Sequence, residues 1–247
     1  MKKKIATFMC LIVVFAAVFC FSSCKKEDET DITEPASFDE ITTGTTDITV
    51  NIDTSESLKS AQGIVVLRTC PIKPDTEGAT LSHNEDIAGI VVFNESSRTL
   101  QFAEIIASFQ DGTQHIYKIT TLPPGETCIV EEESNAPYRD IGTGFFGFDI
   151  KNVAYFTEEP SIHSDKFQLI GADRILNIKN ISDSDITGDI VIYYKDYKNA
   201  QLSSGKTYRV TVEGGLEAGE IKQLIASGYK QNESIIMFVQ IVPQEVS

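Results

Sequence analysis

The densest cluster of oxygen donors in this chain is NISDSDITGD, residues 180–189, where Asp183, Asp185 and Asp189 are interleaved with small polar residues. A hard cation such as calcium collects about six to eight oxygens at short range, so carboxylates packed into one loop are its natural ligands. The stretch lacks the central glycine and closing glutamate of a calcium loop, and Asn, Ser and Asp also dominate ordinary turns. A plain turn is expected there, with no metal. Two aromatic groupings could bind a partner without reacting. In YYKDY, residues 193–197, strand alternation places Tyr194 inward with Ile190 and Ile192, leaving Tyr193 and Tyr197 as candidate contacts. In GTGFFGF, Phe145 and Phe146 lie among glycines that bare the backbone, material for a groove between domains or equally for a packing strand. Beyond residue 24 the only cysteines are Cys70 and Cys128. Outside the cytoplasm they form a candidate disulfide, provided their Cα atoms approach within about 7 Å; the alternative is a pair of buried, inert thiols. His83, His115 and His163 are scattered singly, and the chain contains no GxSxG elbow, HExxH or phosphate-cradling loop. No catalytic residue is therefore singled out, and no cofactor is expected. Paired carboxylates for a hydrolase stay open as an alternative, because such pairs meet in space and not in sequence.

These groups sit on short alternating segments. Strands are expected near residues 46–52, 63–70, 88–94, 100–109, 114–120 and 127–132, then 145–156, 166–170, 174–180, 188–197, 206–213, 219–226 and 234–242. Asp111-Gly112 and Pro123-Pro124-Gly125 supply tight turns. No segment beyond the first 24 residues carries an apolar stripe at helical spacing. Short strands with turn signals every eight to twelve residues or so point to an all-β chain of sandwich or barrel type.

The N-terminus has a different composition. Met1-Lys2-Lys3-Lys4, an apolar run over residues 5–21 and Ser22-Ser23-Cys24 follow the order of a secretory signal peptide. Small residues directly before a cysteine resemble the lipobox of bacterial lipoproteins, with Phe21 in place of the usual leucine. That resemblance implies a leader over residues 1–23, a diacylglycerol on Cys24, and attachment to the cell membrane or outer membrane on its extracytoplasmic side. Two acyl chains suffice for stable anchoring without a spanning helix; an uncleaved signal anchor is the other reading. Residues 24–43 are polar and acidic, with Pro35, and read as a spacer. Their KKEDETDITEP run also resembles the surface-export signal of Bacteroidota lipoproteins. The formal charge of −15, with no compensating basic stripe, disfavours nucleic acid as a partner.

Residues 89–132 and 176–226 repeat one plan. Asn94 matches Asn180, Ser96 matches Ser182, Leu100 matches Ile186, Asp111 matches Asp196, Tyr117 matches Tyr208, and Gly125-Glu126 match Gly219-Glu220. The second copy is longer by about eight residues, most simply in a hairpin loop. Residues 134–144 have the composition of an interdomain link, in which Pro137 and two glycines discourage pairing, so domains are expected over 44–137 and 145–247 with a linker at 138–144.

The motif residues are Asn94, Ser96, Phe109, Asp111, Leu122, Gly125 and Glu126 in one copy and Asn180, Ser182, Tyr194, Asp196, Leu216, Gly219 and Glu220 in the other. They resemble the FxLYD family of bacterial extracytoplasmic β-sandwich domains, although the second copy carries YYKDY where the family has its signature string. The resemblance implies two tandem immunoglobulin-like β-sandwich domains, and that family supplies no catalytic residues. The expectation is a lipid-anchored envelope protein that binds a protein or glycan partner without catalysis. An extracellular hydrolase with carboxylates in an interdomain groove, or an accessory lipoprotein of an envelope transport complex, are the alternatives.

Overall fold

Alternating apolar residues become strands throughout. A computed structural model describes residues 57–73, 86–142 and 144–243. The leader, Cys24, the spacer and the strand expected at 46–52 lie outside these residues. All the described residues belong to one compact unit, Gly44–Ser247. The fold is all-β, with no helix among the described residues.

The strands are β1 (Lys59–Ala61), β2 (Ile64–Ile72), β3 (Ile87–Asn94), β4 (Leu100–Phe109), β5 (Gln114–Leu122), β6 (Thr127–Glu131), β7 (Phe145–Tyr155), β8 (Phe167–Ala172), β9 (Ile175–Asn180), β10 (Asp189–Lys198), β11 (Gln201–Val212), β12 (Ile221–Ile225) and β13 (Ser234–Val242). They form a seven-stranded sheet, β1-β2-β3-β6-β11-β10-β13, and two three-stranded sheets, β5-β4-β7 and β12-β9-β8. The internal repeat is visible in this order. Triplets β2-β3-β6 and β5-β4-β7 in the first half correspond strand for strand to β8-β9-β12 and β11-β10-β13 in the second. Each half has its own core. Ile64, Ile90 and Cys128 pack with Ile105, Ile119 and Ile150 in the first, while Leu176 and Ile178 pack with Ile190, Ile192 and Val239 in the second.

The sequence motif marks an identical corner in both halves. Asn94 is fully buried at the end of β3. Its Nδ2 donates to the carbonyls of Arg98 and Leu122, and its Oδ1 accepts from the Ser96 amide and hydroxyl. Asn180, equally buried, donates to the carbonyls of Ser184, Leu216 and Glu217 and accepts from the Ser182 amide and hydroxyl. Asparagine is suited to this place because its amide offers both donors and acceptor in one plane.

The extra residues of the second copy lengthen the β10–β11 hairpin, and the extension joins the two halves. Leu202 and Ser203 run parallel to Cys128 and Ile129 of β6, and Leu202 is buried in the first core. Beside it the Thr120 hydroxyl lies 2.8 Å from that of Thr207 and donates to the Gly205 carbonyl.

One boundary differs from the sequence expectation. β7, placed after the 138–144 linker and expected to open the second domain, pairs with β4 and sends Phe148 and Ile150 into the first core. Pro137 bridges to Ile87, and the Tyr138 amide donates to the Asp86 carbonyl. The Pro- and Gly-rich stretch is thus a turn within the first half, and the chain crosses to the second half after Tyr155.

Candidate functional site

At one end of the first half, three strands converge on an aromatic cluster. β5 alternates strictly, with His115, Tyr117 and Ile119 buried and Gln114 and Lys118 exposed. Phe109 closes β4 on the same inner side. Across the ladder Ser108 pairs with Gly147 and Phe109 with Phe145, so Phe146 is an extra residue in β7 with no partner. Such a bulge redirects a side chain. Phe145 turns inward, and Phe146 stands 75% exposed.

Phe145 packs edge to face 4.9 Å from Phe148 and 5.9 Å from Phe109, and the His115 ring lies tilted 4.8 Å from Phe109. Arg139 lays its guanidinium 5.6 Å from the Phe109 ring centre and ion-pairs with Asp111 at 2.8 Å. Bonds from the Thr113 hydroxyl and amide, then from Arg139, hold the Asp111 carboxyl far below the usual carboxylate range. Exposed as it is, that pair contributes little to stability and chiefly fixes Arg139 over the ring. Between Phe109, His115, Tyr138, Arg139, Phe145 and Phe148 lies a pocket of only about 10 Å³, room for a single water-sized guest. Phe146, next to Phe145 in β7, is the large apolar ring that this end of the sheet leaves exposed.

No protein-family model and no curated protein matches this chain.

The buried charges near the two cores are satisfied structurally. The Glu132 carboxylate accepts from the Ala136 and Ser134 amides, the Ser134 hydroxyl and the Ile116 amide. Burial pushes its pKa up, but those hydrogen bonds outweigh burial and hold it below its ordinary value. Lys195 is fully buried at the seam between the halves, where its Nζ donates to the Thr120 carbonyl at 2.8 Å. Desolvation drives its pKa down, against the opposing influence of Cys128 and Asp196. Burial also pushes the Cys128 thiol up to about 11.

The remaining sequence candidates are dispersed. Tyr193 stacks on Phe238 at 4.2 Å and bonds Gln240, whereas Tyr197 packs against the first core; neither reaches the pocket. Cys70 and Cys128 form no disulfide. Both are buried free thiols on β2 and β6, with β3 between them, opposite Gly89 and Val92 respectively. Asp185 and Asp189 accept from the amides of Ala218 and Gly214 as loop anchors, while Asp183 is exposed. Among the described residues no group of three or more His, Cys, Asp or Glu is placed to hold a metal.

Sequence reasoning missed His115, Arg139 and Lys195. The inward parity of His115 with Tyr117 and Ile119 was a usable signal. Lys195 carried none, because register shifts in β10 on both sides of Tyr194 let Tyr194 and Lys195 be buried together.

His115 gives a pH signature. Burial, then the nearby Arg139 cation, lower its pKa, against Glu132 and Asp111, which raise it. The unfolded chain takes up the proton first as pH falls below about 6.5. The stability that neutral His115 contributes is therefore complete above that pH and is lost as pH falls toward the lowered folded value. Urea midpoints measured from pH 7.5 to 5 should decline less steeply for His115→Phe than for the wild type. Equal slopes would contradict the buried, neutral imidazole.

Proposed function

We propose that this chain is a lipid-anchored protein of the bacterial cell envelope whose two immunoglobulin-like β-sandwich modules present a binding surface to a protein or glycan partner without catalysis. The observation that carries the reading is Phe146. A bulge leaves this large apolar ring exposed, next in sequence to Phe145, which packs on the Phe109 ring that carries Arg139. Aromatic and arginine side chains dominate binding hot spots because they bury much area in desolvated contacts. The anchor rests on Ser22-Ser23-Cys24 after its apolar run. No helix among the described residues is long and apolar enough to cross a membrane. Supporting the binding role over a hydrolase, the seam where a carboxylate groove was envisaged is filled by Leu202, Thr120, Thr207 and Lys195.

Two measurements test the reading. Cells fed a palmitate analogue should label the wild type and lose that label in Cys24→Ala. Full-length chain solubilised from membranes should retain an envelope component that Phe146→Ser loses at least tenfold, with an unchanged melting temperature. Retention indifferent to Phe146 would overturn the binding surface proposed here, and turnover of glycans or peptides by the purified chain would displace the reading in favour of the hydrolase.

A further inference from the structure

The two halves differ at one edge. In the β3–β6 pair the Asn94 amide donates to the Glu126 carbonyl and the Glu132 amide to the Ala88 carbonyl. Ladder bonds recur at every second residue, so the N–H and C=O groups of Thr127, Ile129 and Glu131 point away from β3. The hairpin extension of β11 occupies that side of β6, with Ser203 opposite Ile129. In the β9–β12 pair the Asn180 amide donates to the Glu220 carbonyl and the Ala226 amide to the Arg174 carbonyl, the same phase. The outward groups are those of Ile221, Gln223 and Ile225, and no described strand pairs with them.

We infer that this open edge of β12 pairs antiparallel with β12 of a second copy, about a two-fold axis at Gln223. The register is self-complementary. With Gln223 opposite its counterpart, Ile221 meets Ile225 on both sides of the axis, and all three outward-facing residues of each strand find hydrogen-bonding partners, the isologous geometry a two-fold requires. Side chains agree with backbone. Ile221 is 49% and Ile225 83% exposed, on an edge without proline or register shift, where strands that avoid association carry such breaks. Charge does not oppose the approach: in a chain of net charge −15, residues 221–225 contain no acid, so the two strands face each other without carboxylate repulsion. Lys222, the one charge in the strand, turns its ammonium onto the Gly215 carbonyl at 2.9 Å and toward Glu220 at 3.7 Å. A five-residue edge buries less than the roughly 1,200 Å² of a standard interface, so the pair dissociates on dilution.

The test uses the full chain in detergent micelles. Sedimentation equilibrium should show the mass rising toward twice the monomer with concentration. Gln223→Pro removes only an outward N–H, a position where an edge strand tolerates proline, and should shift dissociation to at least tenfold higher concentration. Gln223→Cys should oxidise to a disulfide-linked homodimer, whereas Thr211→Cys, on β11, should not. A monomer at all concentrations with no Gln223→Cys homodimer overturns the inference, as does self-association indifferent to Gln223→Pro in a folded variant. Cross-linking of Gln223→Cys only to a different protein would also overturn it, by assigning the edge to a strand from that partner.

Discussion

Replacing Gly205 with alanine should lower the unfolding free energy by about 3 kcal/mol or more and loosen the hold of the second half on the first. A Cβ at this position would lie 1.9 Å from the Lys118 carbonyl oxygen and 2.8 Å from a Val130 methyl. The oxygen belongs to backbone and cannot swing aside, so β11 must lift from β5. Several contacts depend on that approach. The Thr120 hydroxyl bonds Gly205 and Thr207, and the Lys195 ammonium donates to the Thr120 carbonyl. A buried ammonium without its acceptor is costly, so loss of this bond adds to the steric penalty. Chemical denaturation measures the loss. Gly142→Ala, whose Cβ would meet nothing nearer than 4.0 Å, should stay within about 0.5 kcal/mol of wild type. A Gly205→Ala protein as stable as the wild type would mean that β11 does not lie against β5.

Asn94→Ala and Asn180→Ala should each cost about 2 to 4 kcal/mol, several hydrogen bonds at about 1 kcal/mol apiece together with desolvated groups left unpaired. Truncating Asn94 strands the Leu122 carbonyl in the interior and removes the acceptor of the Ser96 amide. Asparagine differs from its isosteres here in a way that separates donor from acceptor roles. Asn94→Asp keeps the acceptor for Ser96 but points a carboxylate at the carbonyls of Arg98 and Leu122. It should be at least as harmful as alanine at pH 7. Its carboxyl would be protonated more readily folded than unfolded, so part of the loss should return as pH falls. Equilibrium unfolding at pH 7 and pH 5 reads both effects. Near-neutral alanine variants would show that the repeated corner is incidental.

Local signals fixed the strands well because each depends on neighbours in sequence. The DG pair gave the β4–β5 turn, where Gly112 takes φ +81° and the Asp111 carboxylate bonds the Thr113 amide. The second glycine turn, at Gly125, likewise has positive φ. The matched asparagines marked a common corner without revealing its use. What escaped depends on partners distant in sequence. The stretch from Pro137 to Gly144 has the composition of a linker, yet whether β7 pairs backward with β4 or forward is decided by which core receives Phe148 and Ile150. The extra length of the second hairpin was readable, but the docking of Leu202 into the other half was not. Of the aromatic candidates, Phe145 turns into the first core and Phe146 out of it, while Tyr193 stacks on Phe238 and Tyr197 packs on the first core. Parity counted from Tyr193 fails beyond the bulge, which is invisible to alternation.

β1 and β13 form opposite margins of one seven-stranded sheet. A load pulling those margins apart crosses every lateral seam in series, and the structure is then only as strong as its weakest seam. The seam with the shortest register is the two-pair parallel contact between β6 and β11, braced by a threonine couple and one lysine. Tension that parts it must also draw Leu202 out of the first core, so the two halves separate only with loss of apolar burial.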